Sequence, residues 1–186
     1  VKLIEQALGG VMLLEPQVYG DDRGWFCETF NAARFAELGL PTRFLQSNLS
    51  RSRRGVLRGL HYQWPNPQGK LVQVVEGEVL DVAVDLRRGS ASFGHSFAAR
   101  LSADNRRLMY IPEGYAHGFA VLSEQASFAY QCTALYDRAC DRAVRWNDPA
   151  LAIDWLLDAP LLSPKDAAAP LLADLTADAL PTVAAG

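Results

Sequence analysis

The chain has 186 residues, 49% hydrophobic and 21% charged, enough for one well-buried globular domain. No apolar run nears the ~20 residues that a bilayer crossing needs, and the opening Val-Lys-Leu-Ile-Glu lacks a secretory h-region, so a cytoplasmic, membrane-free protein is expected. A net charge of −3, from 18 basic and 21 acidic residues, argues against a nucleic-acid partner.

Residues 1–30 read as short strands with turns, including Tyr19-Gly-Asp-Asp-Arg-Gly24. Asn31 to Gly39 predicts a short helix, with Asn31 as its N-cap and Gly39 as its stop. From Phe44 to about Trp146, strand-like runs alternate with Gly, Pro, Ser and Asp punctuation at intervals of roughly 8–12 residues, which predicts an antiparallel sandwich or barrel core. Within it Arg51, Arg53, Arg54 and Arg58 form either a solvated loop or a cationic mouth for a small anion. The last thirty residues are rich in Leu, Ala, Asp and Pro, so short helices are expected over about 160–180, then a frayed Ala-Gly end. Cys27, Cys132 and Cys140 are odd in number and unevenly spaced, which suits free thiols better than a disulfide framework or a thiolate metal site.

The period of two along a strand places side chains. If Glu76-Gly77 is a hairpin turn, Lys70, Val72, Val74, Val79, Asp81 and Ala83 share one face, with Lys70 and Asp81 as diagonal neighbours. If Glu124-Gln125 closes another hairpin, His117, Phe119, Phe128, Tyr130, Cys132 and Tyr136 share a face.

Gly55-Val-Leu-Arg-Gly-Leu-His-Tyr-Gln63 places Arg58 and His61 in apolar strand-type sequence, with Lys70 shortly after. A neutral imidazole beside fixed cations suits removal of a proton and stabilisation of the resulting anion. Strict alternation would send Arg58 and His61 to opposite faces, so a bulge is expected at Gly59. A metal is not expected. The segment Pro112-x-Gly114-x-x-His117 matches one part of a cupin metal site, but His61 is followed two residues on by Gln63 rather than His, and His95 lies in a Gly-His-Ser loop.

In order along the chain, eight segments resemble the dTDP-4-dehydrorhamnose 3,5-epimerase family of nucleotide-sugar enzymes. They are Asp22-Arg-Gly-Trp-Phe26, Gln46-Ser-Asn48-Leu-Ser50, Gly55 to Gln63, Gln68-Gly-Lys-Leu-Val72, Asp81-Val-Ala-Val-Asp-Leu-Arg87, Ile111-Pro-x-Gly-x-Ala-His-Gly-Phe119, Trp146-Asn-Asp-Pro149 and Leu162-Ser-x-Lys-Asp166. The resemblance implies an all-β jelly-roll (cupin-like) fold with short flanking helices over residues 1–186, a homodimer, and no cofactor or metal. The implied substrate is dTDP-4-dehydro-6-deoxy-D-glucose, inverted at C3 and C5 through an enolate. Its implied catalytic residues are His61 as base, Tyr130 as proton donor, Lys70 at the developing oxyanion and Asp166 behind the histidine. Arg23, Glu28, Gln46, Asn48, Arg58, His117, Asp141 and Lys165 resemble substrate contacts, and Tyr136 resembles the aromatic that stacks on thymine. Arg23 and Glu28 would reach the partner subunit's site.

Other readings stay open on the residues alone. His61 could be a core histidine, Tyr130 and Tyr136 ordinary barrel aromatics, and Lys70 with Asp81 a structural ion pair. Ser163-Pro164-Lys165-Asp166 also reads as a helix start with Asp166 in a capping role, leaving Asp148 and Asp154 as alternative partners for His61. Against the family pattern, Asp141 replaces glutamate, the proline and acidic pattern after Tyr136 is missing, and the loop Trp64 to Gln68 is one residue shorter. Rival functions are a 3-epimerase or 5-epimerase of a related dTDP-4-keto-deoxysugar, a metal-dependent cupin oxygenase, and an inactive sugar-nucleotide binding module.

Overall fold

A computed structural model describes residues 1–183. The strands are β1 (Lys2–Ala7), β2 (Val11–Glu15), β3 (Val18–Asp21), β4 (Gly24–Cys27), β5 (Gln46–Arg53), β6 (Leu57–Gln63) and β7 (Lys70–Glu76). After them come β8 (Glu78–Asp85), β9 (Ser96–Ser102), β10 (Leu108–Ile111), β11 (Tyr115–Val121), β12 (Gln125–Cys132) and β13 (Asp141–Ala143). Two antiparallel sheets result, one in the order β1-β2-β10-β7-β12-β5 and the other β13-β6-β11-β8-β9, while β3 and β4 make a separate ribbon. The all-β, jelly-roll, cupin-like expectation holds. The sheets also draw on β1 and β2, which lie before the expected core at 44–146.

From β5 onward the chain changes sheet at every connection except β8 to β9. The two expected hairpins are therefore not hairpins: β7 pairs with β10 and β12, and β8 pairs with β9 and β11. Gly77 instead turns the chain from one sheet to the other at φ +77°, where a Cβ would stand 2.0 Å from the Gln125 carbonyl oxygen. The shared faces survive this correction. A tight corner between facing sheets keeps the parity of the pleat, so side chains that a hairpin would align side by side face one another across the interior. Val72, Val74, Val79, Ala83, Phe119 and Phe128 all sit in that interior.

Each inward row changes character along its length. β12 runs from Ala126 and Phe128 in the core to Tyr130 and Cys132, and β7 from Val74 and Val72 to Lys70. One end of the sandwich is thus packed, while the other converges polar side chains on a cavity.

Both outer faces are covered. Helix α1 (Ala32–Glu37) starts at Asn31, whose Oδ1 accepts from the Ala33 and Arg34 N–H groups, and Gly39 follows it at φ +71°, as expected. Its Phe35 packs with Leu14, Leu71 and Leu108 on the first sheet. The C-terminal segment lays Leu151, Trp155 and Leu180 over Leu80, Val82 and Val84 of the second. Expected helicity over 160–180 amounts to the short helix α2 (Pro164–Ala167) and two 3₁₀ turns, and the Ala-Gly end falls outside the described residues. Among the described residues no helix is long and apolar enough to cross a membrane.

Candidate active site

The polar end of the sandwich encloses a cavity of about 270 Å³, just under the size of typical small-molecule sites. Its second-sheet wall comes from β6 and β11. His61 and His117 are direct register partners, whereas Phe119 pairs with Arg58. Three residue steps on β6 therefore oppose two on β11, and the expected bulge lies at Gly59. It lets Arg58, His61 and Gln63 all line the cavity while Leu57 and Leu60 face outward into the core; Tyr62 borders the cavity too but sends its hydroxyl outward to the Ala179 carbonyl. Only glycine fits there. Gly59 has φ +130°, and a Cβ would stand 2.5 Å from Gly118 Cα.

His61 Nε2 lies 2.5 Å from Asp166 Oδ1. With the carboxylate ionised, Nε2–H donates to it and the Nδ1 lone pair is left free. Burial pushes the Asp166 carboxyl up. The hydrogen bond and charge of His61, joined by the Ser163 hydroxyl and the Gly59 N–H, outweigh it and hold the group below its ordinary 3.8. Both roles read for Asp166 coexist: Ser163 Oγ accepts from the Asp166 backbone N–H to start α2, while the side chain turns to His61. Asp148 binds the Ala150 and Leu172 N–H groups and Asp154 that of Leu156, which removes both as alternative partners.

The opposite wall belongs to the first sheet. Tyr130 on β12 and Lys70 on β7 line it. Burial raises the Tyr130 phenol, helped by Cys132 and opposed by Arg58, so it is a proton carrier near neutrality. Burial lowers the Lys70 ammonium; Cys132, Asp81 and Asp141 pull it back up. Lys70 Nζ is 3.5 Å from the His61 carbonyl oxygen, at the limit of a hydrogen bond. The ion pair considered between Lys70 and Asp81 does not form. Fully buried Asp81 instead takes His117 Nε2 at 3.0 and 3.1 Å from its two oxygens. Burial also lowers the His117 imidazole, against the pull of Asp81, leaving it neutral. Its ring continues the Phe119–Phe128 stack, whose centroids are 4.2 Å apart.

At the cavity mouth, Gln46 Nε2 donates to Asn48 Oδ1 and Gln46 Oε1 accepts from the Tyr136 N–H. The Tyr136 hydroxyl donates to Asp141, which also pairs with Lys165. The shorter aspartate thus still spans from the aromatic to the lysine. Sequence reasoning missed several wall residues. Ser50 continues the inward row of Gln46 and Asn48 along the wall, and Ser52, next in that row behind the cavity, accepts from Arg58 Nε at 3.1 Å, so β5 alternation alone could have found both. Gln63 ties the Asn66 and Leu135 carbonyls to the Asp137 N–H; such loop contacts leave no periodic trace.

Two expected residues lie elsewhere in this chain. Arg23, with its side chain 89% exposed, pairs with Asp21 on the β3–β4 ribbon, and Glu28 binds Asn31 and Arg34. Neither lines the cavity, because the ribbon projects from both sheets. His95 is exposed in the β8–β9 connection. Among the described residues no group of three His, Cys, Asp or Glu side chains is placed to hold a metal.

Residues 5–174 match the pattern that defines the dTDP-4-dehydrorhamnose 3,5-epimerases. The chain belongs to that family. It is 55% identical over 183 residues to the dTDP-4-dehydrorhamnose 3,5-epimerase of Pseudomonas aeruginosa, covering 97% of this chain and 100% of that one. The 3,5-epimerase of Legionella pneumophila, solved in complex with dTDP-4-keto-L-rhamnose, superposes with a TM-score of 0.95 at 50% identity over 99% of both chains. A dTDP-4-dehydrorhamnose 3-epimerase of Streptomyces niveus is 43% identical over 187 residues, 99% of this chain and 90% of its own. Epimerases that invert one carbon or two thus share this family's framework.

Proposed function

We propose that this enzyme epimerises dTDP-4-dehydro-6-deoxy-D-glucose at C3 and C5 and releases dTDP-4-dehydro-L-rhamnose. What carries the proposal is the placement of His61 and Tyr130 on opposite sheets around one cavity, with Lys70 lining it from the strand next to that of Tyr130. Both carbons are α to the C4 ketone. Loss of a proton from either gives an enolate whose oxygen needs a cation or donor, and inversion needs reprotonation from the other face. In this reading His61 Nδ1 takes the proton, Asp166 steadies the imidazolium, Lys70 faces the oxyanion and Tyr130 delivers a proton to the opposite side. Gln46, Asn48, Arg58, His117, Asp141 and Lys165 hold the dTDP-sugar, and Tyr136 at the mouth stacks on thymine.

The 43% identity with a 3-epimerase supports a second reading, inversion at one carbon only. Incubation with the 4-keto sugar in heavy water, followed by NMR, separates them: deuterium at both C3 and C5 with L-configured product is expected. Exchange at one carbon selects the second reading, and no exchange at either rejects both.

The assembly belongs to the same proposal. Tyr19, Trp25 and Phe26 on the β3–β4 ribbon are 60%, 57% and 66% exposed, which supports burial of that ribbon against a second copy, carrying Arg23 and Glu28 to the partner's cavity. Three free thiols, Cys27, Cys132 and Cys140, support a reducing, cytoplasmic setting.

A further inference from the structure

On the function proposed above, Lys70 meets an oxygen whose charge grows during the reaction, and an ammonium helps there only if it is already in place. Its head group is weakly tethered. Among the described residues its one hydrogen bond is the 3.5 Å contact with the His61 carbonyl oxygen. A lysine stem is flexible, so the backbone at its root has to fix what the head group does not.

That root is tied down from the strands beside it. Lys70 pairs with Cys132 on one side and Ile111 on the other, both buried. Gly69, Thr133 and Tyr110, each next in sequence to one member of that rung, converge on Glu113. The Thr133 N–H donates to the Gly69 carbonyl at 3.0 Å, and the Thr133 hydroxyl oxygen accepts from the Gly69 N–H at 2.9 Å. That hydroxyl donates in turn to Glu113 Oε1 at 2.5 Å, while the Tyr110 hydroxyl donates to Glu113 Oε2 at 3.3 Å. A Cβ on Gly69 would stand 2.9 Å from Glu113 Oε1 and 3.0 Å from the Tyr110 hydroxyl, so the carboxylate fills the room of a side chain at 69. Both backbone groups of Gly69 thus end on Thr133, and Thr133 ends on Glu113.

We propose that Glu113 and Thr133 are positioning residues for Lys70: by clamping Gly69 they hold the root of the lysine so that its ammonium stands ready at the C4 oxygen. Neither of them lines the cavity, so neither meets the sugar itself.

Thr133→Val keeps the shape of the side chain but leaves the Gly69 N–H without its acceptor and Glu113 without a donor, whereas Thr133→Ser keeps the hydroxyl. Gln68 Nε2 still ties its segment to the Ala134 carbonyl at 2.8 Å, so the variant is expected to fold. Turnover of the 4-keto sugar is measured for each variant, alone and combined with Lys70→Met, per site titrated with dTDP by calorimetry. Thr133→Val should lower kcat by about 10–10²-fold with KM and dTDP affinity within about twofold of normal, and Thr133→Ser should recover most of the loss. Added to Lys70→Met, Thr133→Val should cost no more than about twofold, because the group it positions is gone. If Thr133→Val binds no dTDP, Gly69→Ala displaces the clamp from the other side and is judged by the same criteria. Unchanged kcat in a dTDP-binding variant overturns the positioning role. A rate loss that persists in full beside Lys70→Met also overturns it, as does loss of dTDP binding in both Thr133→Val and Gly69→Ala, since each makes the clamp a matter of general structure. No deuterium at C3 or C5 with the unmodified protein in heavy water would reject the epimerase reading as well, whereas normal exchange that Thr133→Val leaves untouched rejects the positioning role alone.

Discussion

Lys70 extends from β7 to within 3.5 Å of the His61 carbonyl, and among the described residues no carboxylate pairs with it. Burial lowers its ammonium below 10.5, so the unfolded chain binds that proton more readily and folding works against the charge at neutral pH. Activity and stability are expected to separate here. Lys70→Met should cost about 10²–10³ in rate through the lost oxyanion partner, yet raise stability by roughly 1 kcal/mol. Turnover and urea unfolding on the same preparation check both. His61→Asn should lower proton exchange at both carbons by at least ~10²-fold while dTDP still binds, measured by deuterium wash-in and calorimetry. His117 sets an acid limit. Its folded-state pKa lies below 6.5, so stability from this group is complete above 6.5 and is lost as pH falls through the lower folded value. Asp166 adds loss of the same sign below 3.8. The thermal midpoint should therefore drop between pH 7 and 5, and drop less in His117→Gln, which keeps an N–H for Asp81.

Among the elements, β6 carries the most demanding local geometry. Arg58 and His61 share a side only because one residue is inserted between them, and the insertion fits only where Gly59 meets Gly118. Gly59→Ala would press a methyl group 2.5 Å from Gly118 Cα and 2.9 Å from the His117 carbonyl oxygen. A loss of about 3 kcal/mol, with activity falling alongside, is expected from denaturant unfolding and turnover. That bulge was legible because alternation and chemistry disagreed at one glycine. That β7 and β8 part into different sheets was not. A two-residue turn and a sheet-switching corner have the same length and the same polar punctuation, and they differ only in which distant strand accepts the hydrogen bonds.

Across the whole molecule, the ribbon of β3 and β4 has aromatic faces that neither sheet covers. If it docks on a second copy, Trp25→Ser with Phe26→Ser should shift the mass measured by light scattering from dimer to monomer. Arg23→Ala should leave the dimer intact but weaken dTDP-sugar binding by about tenfold. A monomeric unmodified protein would remove Arg23 and Glu28 from the site altogether.

Local rules sufficed for what depends on neighbours along the chain: the β class from alternation, the α1 boundaries from Asn31 and Gly39, and the inward rows that gather Lys70, His117 and Tyr130. Partnership between distant charges needed the fold. Asp81 went to His117 rather than Lys70, and Asp166 reached His61 across 105 residues instead of serving only its helix. Side-chain parity repeats every two residues and is written in the chain, whereas which carboxylate meets which ring depends on how two sheets stack, and no local period encodes that.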